Sequence, residues 1–330
     1  MPTNLYGAVW RTFFRRPLIF SSLTLLFLVL VSLLTGLFTS CTTLPENSQL
    51  YQCNQVTHVR HGMDFHPPLS LTTGDTTSWN WEEIAEGISY TSYTANRAPL
   101  RWHLVSIDLH CPNLVPLAYP TAHQMDSQGR FPGKTTHQFL QETELQDSPL
   151  LVTVNATPFK APFTQLLPQR QLAGLYIHQG KLLSPPISRY SAICFWPQED
   201  SLAATIINDQ TMYPPETNLA LGGFFTIIRE GEIQGFPACS LDSRTALGIT
   251  KDERYLFILY VEGEDKKESL GLTYEESALI LQAAGAWNAL QMDGGGSAAL
   301  SIKDKEITGK KHRRGANILG FALTFHENID

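Results

Sequence analysis

The run Met292-Asp293-Gly294-Gly295-Gly296-Ser297 holds the residue types that most directly suggest chemistry. Its glycines leave backbone amides unshielded, so the turn they make can aim several N–H groups at one anionic oxygen, with the Ser297 hydroxyl beside them. Such a turn suits a phosphate or an oxyanion. Asp293 falls at the expected end of a strand, a place where a carboxylate can work as an acid or base. A tight glycine-rich turn with a solvated aspartate is the plain alternative. The run does not fit a Walker loop or a dinucleotide fingerprint, which need a lysine or a spaced third glycine with a helix following.

Other polar groups fall at the ends of apolar runs. Arg244, in Asp242-Ser243-Arg244-Thr245, leads into a buried strand and could fork onto phosphate oxygens. Glu262 follows Tyr255 to Val261 and is a second carboxylate at a strand end. Asn155 follows Leu151-Val152-Thr153-Val154, and Asn317 follows Arg314-Gly315-Ala316, as further hydrogen-bonding groups. The globular part has no evident cluster of His and Asp at ligand spacing, so no metal or other cofactor is expected, and a metal-dependent phosphodiesterase is disfavoured.

The elements that must position these groups read mainly as strands. His103 to Leu109 alternates, as for a strand with one buried face. Leu150 to Val154, Thr245 to Ile249 and Tyr255 to Val261 are short apolar runs of the kind that sit in sheet centres. Thr273-Tyr274-Glu275-Glu276 is a capping box opening a helix that Gly285 stops, and Trp287 to Met292 is the strand that then delivers Asp293. Many strands, few helices and no strand–helix rhythm predict an α+β fold of mixed, largely antiparallel sheets.

The run Arg244-Thr245-Ala246-Leu247-Gly248-Ile249, then Gly271-Leu272-Thr273, then Ala289 to Ser297, then Arg314-Gly315-Ala316-Asn317, resembles the phosphodiester glycosidase family. Weaker matches at Gly174 to Leu182 and Leu221 to Phe225 extend the resemblance over roughly Trp81 to Asp330. The resemblance implies hydrolysis between an anomeric carbon and a phosphodiester oxygen, with Asp293, Glu262 and Arg244 catalytic. It also implies that Asn155, Gly294, Gly295, Gly296, Ser297 and Asn317 bind substrate. The family usually has Asn-Gly-Gly-Phe-Phe where this chain has Asn155-Ala156-Thr157-Pro158-Phe159, and Pro158 must change the pocket wall. Glu262 stands where an aspartate is usual. These departures keep open a non-catalytic envelope module that binds a phosphorylated glycan.

Leu18 to Phe38 is uncharged and apolar behind Arg11, Arg15 and Arg16. At about 1.5 Å per residue it spans about 31 Å, one hydrocarbon core. Residues 1–41 therefore read as an export signal or membrane anchor, with the chain beyond translocated. Leu37-Phe38-Thr39-Ser40-Cys41 resembles a bacterial lipobox, so a lipoprotein held through Cys41 is expected over an uncleaved helix. Residues 42–80, rich in Thr, Ser, Pro, Asn and Gln, read as a tether, and residues 81–330 as the glycosidase-like domain. Cys53, Cys111, Cys194 and Cys239 remain to pair in that exported compartment. A net charge of -7 gives no general cation excess for nucleic acid, and the run Lys310-Lys311-His312-Arg313-Arg314 reads as a solvated turn. The expected partners are a phosphorylated glycan or glycolipid and, through the amino terminus, a membrane.

Overall fold

Period-2 alternation in one broad sheet sorts its side chains between two faces, and each face meets a different layer. The computed structural model describes residues 79–95, 99–143, 149–160, 169–236, 240–305, 307–308 and 313–324. The apolar amino-terminal segment, Cys41, Cys53, Cys239, most of the tether and Lys310 to His312 lie outside these residues. Trp79 already belongs to the packed part, stacked on Trp81 with ring centroids 5.8 Å apart.

The largest sheet has eight strands in the order β1-β2-β3-β17-β16-β18-β14-β15. These are β1 (Glu82–Ala85), β2 (Ile88–Ala95), β3 (Leu100–Asp108), β14 (Thr226–Arg229), β15 (Glu232–Ile233), β16 (Arg244–Thr250), β17 (Tyr255–Val261) and β18 (Ala286–Gln291). A four-stranded sheet runs β19-β6-β20-β4, from β19 (Leu300–Ile302), β6 (Leu150–Asn155), β20 (Ile318–Leu323) and β4 (Leu114–Tyr119). A five-stranded sheet runs β10-β9-β13-β11-β12. Its members are β9 (Tyr176–His178), β10 (Lys181–Ser184), β11 (Ala192–Gln198), β12 (Ser201–Ile207) and β13 (Leu219–Gly222). A small sheet sets β8 (Gln169–Leu172) between β5 (Arg130–Pro132) and β7 (Phe159–Lys160). Every strand pair among the described residues is antiparallel, which sharpens the expected mixed sheets.

Two α-helices complete the described residues, α1 (Thr136–Thr143) and α2 (Tyr274–Ala284). The second is the one the capping box predicts. Thr273 Oγ1 accepts from the Glu276 amide, the Glu276 carboxylate accepts from the Thr273 amide, and Gly285 closes the helix in the left-handed region. On one face of the large sheet Ala246, Leu259, Val261 and Trp102 pack with Leu272, Ala278 and Leu281 at α2. On the other, Val105, Leu247, Ile258 and Leu290 form one core with Val152, Val154 and Phe321 of the four-stranded sheet and Phe195 and Leu221 of the five-stranded one. Leu140 of α1 covers the outer side of the four-stranded sheet at Leu150 and Ala322. Cys111 and Cys194 are buried free thiols. They sit in different core clusters, so the pairing that the cysteine count allows does not join these two.

Candidate active site

The strand ends bearing Asp293, Asn155 and Asn317 meet where the large sheet abuts the four-stranded one. Beyond β18 the chain crosses between them, because the Asp293 amide donates to Ala156 O at 3.0 Å and Asn155 Nδ2 donates to Asp293 O at 2.7 Å. Asn155 is a bracket, 4% exposed, whose Oδ1 also accepts from Thr245 Oγ1 at 2.7 Å and from the Ala299 amide at 2.8 Å. Asn317 is buried in the same manner, its Oδ1 accepting from the Thr157 amide and its Nδ2 donating to Tyr119 O. Both amide side chains are engaged inside the protein. Sequence reading expects them to face a ligand; the structure has them fixing the backbone beneath Asp293.

Burial pushes the Asp293 carboxyl up to about 6, against the pull of the Ser297 side chain, the Arg313 charge and the Gly294 amide. A carboxyl poised there can exchange a proton near neutral pH. The glycine turn is less open than its composition suggests. The Gly295 amide donates to Ser243 O at 2.9 Å, and the Gly294 amide serves Asp293 itself. Gly295 has φ +56°, and a Cβ there would lie 3.4 Å from Asp242 Oδ2 and 3.7 Å from Glu264 Oε1. Two carboxyls therefore converge on the turn. Burial first, then the Asp242 charge and a hydrogen bond between the two carboxyls, hold Glu264 above the usual carboxylate range.

Alternation separates the other two expected catalytic residues. Arg244 points to the α2 face and is 5% exposed. Its guanidinium lies 4.0 Å from the centroid of the Tyr274 ring, with Nε donating to Leu272 O and an Nη2 to Ser240 O. The expected phosphate fork is thus committed to backbone carbonyls. Glu262 turns to the opposite face, where its Oε1 meets His103 Nε2 at 2.8 Å, and His103 Nδ1 meets the Tyr90 hydroxyl at 2.8 Å. Strand β16 lies between β17 and β18, so the backbone at Glu262 and at Asp293 is about 10 Å apart by strand spacing.

Cations gather on another side of Asp293. Arg313 and Arg170 lie over the Phe159 ring, 5.0 and 5.5 Å from its centroid. Burial, with the neighbouring charges of Arg313 and Arg314, holds the Arg170 guanidinium below its ordinary value. No motif announces this group, since Arg170 stands in Gln169-Arg170-Gln171 and Arg313 in a run that reads as a solvated turn. Glu264 and His103 are equally silent in the sequence, each becoming relevant only through a distant partner. No metal-holding group of three or more His, Cys, Asp or Glu occurs among the described residues. A cavity of about 310 Å³ lined by His178, Trp196 and Asn218 shares none of these site residues.

The chain matches the sequence model of a family described as phosphodiester glycosidase over residues 149–322. No curated protein matches it. A hypothetical protein from Synechocystis shares the fold at a TM-score of 0.55 and 14% identity, over 74% of this chain and 64% of that one. A protein from Burkholderia pseudomallei does so at 0.51 and 12%, over 71% and 74%. The zebrafish N-acetylglucosamine-1-phosphodiester alpha-N-acetylglucosaminidase catalytic domain, auto-inhibited by pro-peptide, aligns at 0.49 and 17%, over 72% and 82%.

Proposed function

The chain belongs to the phosphodiester glycosidase family, and from that premise we propose that it hydrolyses a sugar-1-phosphodiester between the anomeric carbon and the phosphate oxygen. The observation that carries this reading is Asp293, a carboxyl raised to about 6 by burial, fixed by its own backbone, under the charge of Arg313 and followed by a turn on which two further carboxyls converge at Gly295. In the reaction a water oxygen bonds to the anomeric carbon, its proton passes to Asp293, and the carbon–oxygen bond electrons leave with the phosphomonoester. That leaving group is a weak base, so binding its charge matters more than protonating it.

Glu264, sharing a hydrogen bond with Asp242 beside Gly295, is the second carboxyl in this reading. Glu262, tied to His103, supports the wall instead. Asn155 and Asn317 act as positioning residues, as does Arg244, which fixes the entry to α2. Ser297 and the Gly294 amide hold the Asp293 carboxylate, and the turn through Gly295 and Gly296 shapes the floor. The apolar run from Leu18 to Phe38 and the Cys41 lipobox support export and a membrane tether, with a phosphorylated glycan or glycolipid as substrate.

The test is to incubate the full-length chain with a sugar-1-phosphodiester and follow release of reducing sugar. Asp293→Asn is expected to fold and to lose turnover by roughly a hundredfold or more, the usual scale for such a group. Near-normal turnover in that variant removes Asp293 from the mechanism. Binding of the diester with no release by the unaltered chain points to a glycan-binding module instead.

A further inference from the structure

The segment that departs from the family pattern leads from the candidate catalytic carboxyl straight to a group of cations. Ala156 O accepts from the Asp293 amide, and Pro158 O accepts from the Ala173 amide at 2.8 Å, which pins β7 to β8 with Phe159 opposite Leu172. Phe159 then carries Arg170 and Arg313 over its ring. Arg314 closes the group, because a Cβ on Gly133 would lie 3.2 Å from Arg314 Cβ and 3.4 Å from Arg170 Cγ.

The charge of Arg313 acts on the Asp293 carboxyl without forming an ion pair with it. No carboxylate forms an ion pair with Arg170, Arg313 or Arg314 among the described residues. Arg170 donates one Nη1 bond to Gln169 O, while its Nε is buried with no hydrogen-bond partner among the described residues. Like charges crowded around a ring repel, and a buried unpartnered donor is costly. Both penalties are relieved when an anion enters, and the planar fork of arginine matches phosphate oxygens. The charge balance says which anion. An ionised Asp293 and a phosphodiester carry one negative charge each, so a single diester would still leave part of the cationic charge of Arg170, Arg313 and Arg314 uncompensated.

We propose that Arg170 and Arg313 at Phe159, with Arg314 beside Arg170, bind a second phosphate on the leaving-group side of the substrate. The proposal rests on the glycosidase reading and narrows its substrate class. The substrate is a sugar whose anomeric carbon is joined either to a diphosphate or to a phosphodiester followed by a further phosphate. Asp293 faces the bond that breaks, and the arginine group holds the charge beyond it.

Two measurements on the full-length chain test this separately from the reaction. In calorimetry with inorganic pyrophosphate and orthophosphate as probes, at about 0.1 M salt, pyrophosphate is expected to bind about tenfold tighter or more. Combined Arg170→Gln and Arg313→Gln should erase that preference, and Lys181→Gln, a change at an exposed cation on β10, should keep it. If the double variant does not fold, Arg313→Gln alone, at an exposed position, gives the reading through a reduced preference. Equal binding of the two probes, or a preference untouched by the arginine variants, overturns the proposal. For turnover, one sugar is presented as its methyl phosphodiester, as a diphosphate diester and as a phosphodiester of glycerol phosphate. The doubly phosphorylated forms should exceed the methyl diester about tenfold or more in kcat/KM, and the faster of them identifies the source of the second phosphate. Equal kcat/KM for all three overturns the proposal and leaves the glycosidase reading intact. No sugar release from any overturns the glycosidase reading, and calorimetry still decides the arginine site.

Discussion

At the scale of single residues, Asp293 ties activity and stability to the same proton. Its folded carboxyl titrates at about 6, and the unfolded one at the ordinary carboxylate value, so the folded protein holds the proton more tightly. The stabilising contribution is therefore complete below about pH 3.9 and is lost as pH rises through about 6. Removing the charge should reverse this. Asp293→Asn is expected to be more stable than the unaltered chain at pH 8 by on the order of 1–3 kcal/mol, with no such advantage at pH 3.5. Thermal unfolding across pH checks it, and a gain that is flat with pH would deny the buried ionisation. Acting as a base, Asp293 must be ionised, so kcat/KM should climb with pH through about 6. An optimum falling away on the alkaline side of 5 would contradict that role.

At the scale of elements, the approach to α2 sets the carboxyls around the glycine turn. Asp242 and Leu272 form an isolated antiparallel bridge, with the Leu272 amide donating to Asp242 O at 3.0 Å. Gly271 makes the bridge possible, since it has φ +85° and a Cβ there would sit 2.2 Å from Asp242 O. Gly271→Ala must therefore break the bridge or move Asp242. A loss on the order of 3 kcal/mol is expected, against about 1 kcal/mol for Thr273→Ala, which removes only the helix cap. Denaturant unfolding of the two variants compares them directly. A Gly271→Ala loss no larger than that of the cap variant would mean that the close approach is not rigid.

At the scale of the whole molecule, Asp293 stands where it does because two sheets share one core. Phe321 on β20 and Phe195 on β11 meet edge to face, with centroids 6.1 Å apart and planes at 72°, joining the four- and five-stranded sheets. Phe321 is fully buried and lies on the same strand run as Asn317, which braces the backbone under the site. Phe321→Ala should cost about 3–5 kcal/mol in denaturant unfolding. A loss under about 1 kcal/mol would show that the shared core contributes little there.

The sequence by itself determined the family, the strand-rich fold, the capped helix α2 and the strand that carries Asp293. These rest on local information: alternation, a capping box, a stop glycine and a run of four motifs in order. Which way the polar residues face is another matter. Arg244 and Thr245 are neighbours in the chain, yet the pleat sends one to the Tyr274 ring and the other to Asn155. Asn155 and Asn317 carry no mark that their amides are answered by backbone groups more than 100 positions away. The Asp242–Glu264 pair at Gly295 and the arginines at Phe159 exist only because antiparallel sheets bring distant strand ends together. Charge and burial act through space, so tertiary structure alone decided which carboxyls hold their protons more tightly and which cations are without an ion-pair partner among the described residues.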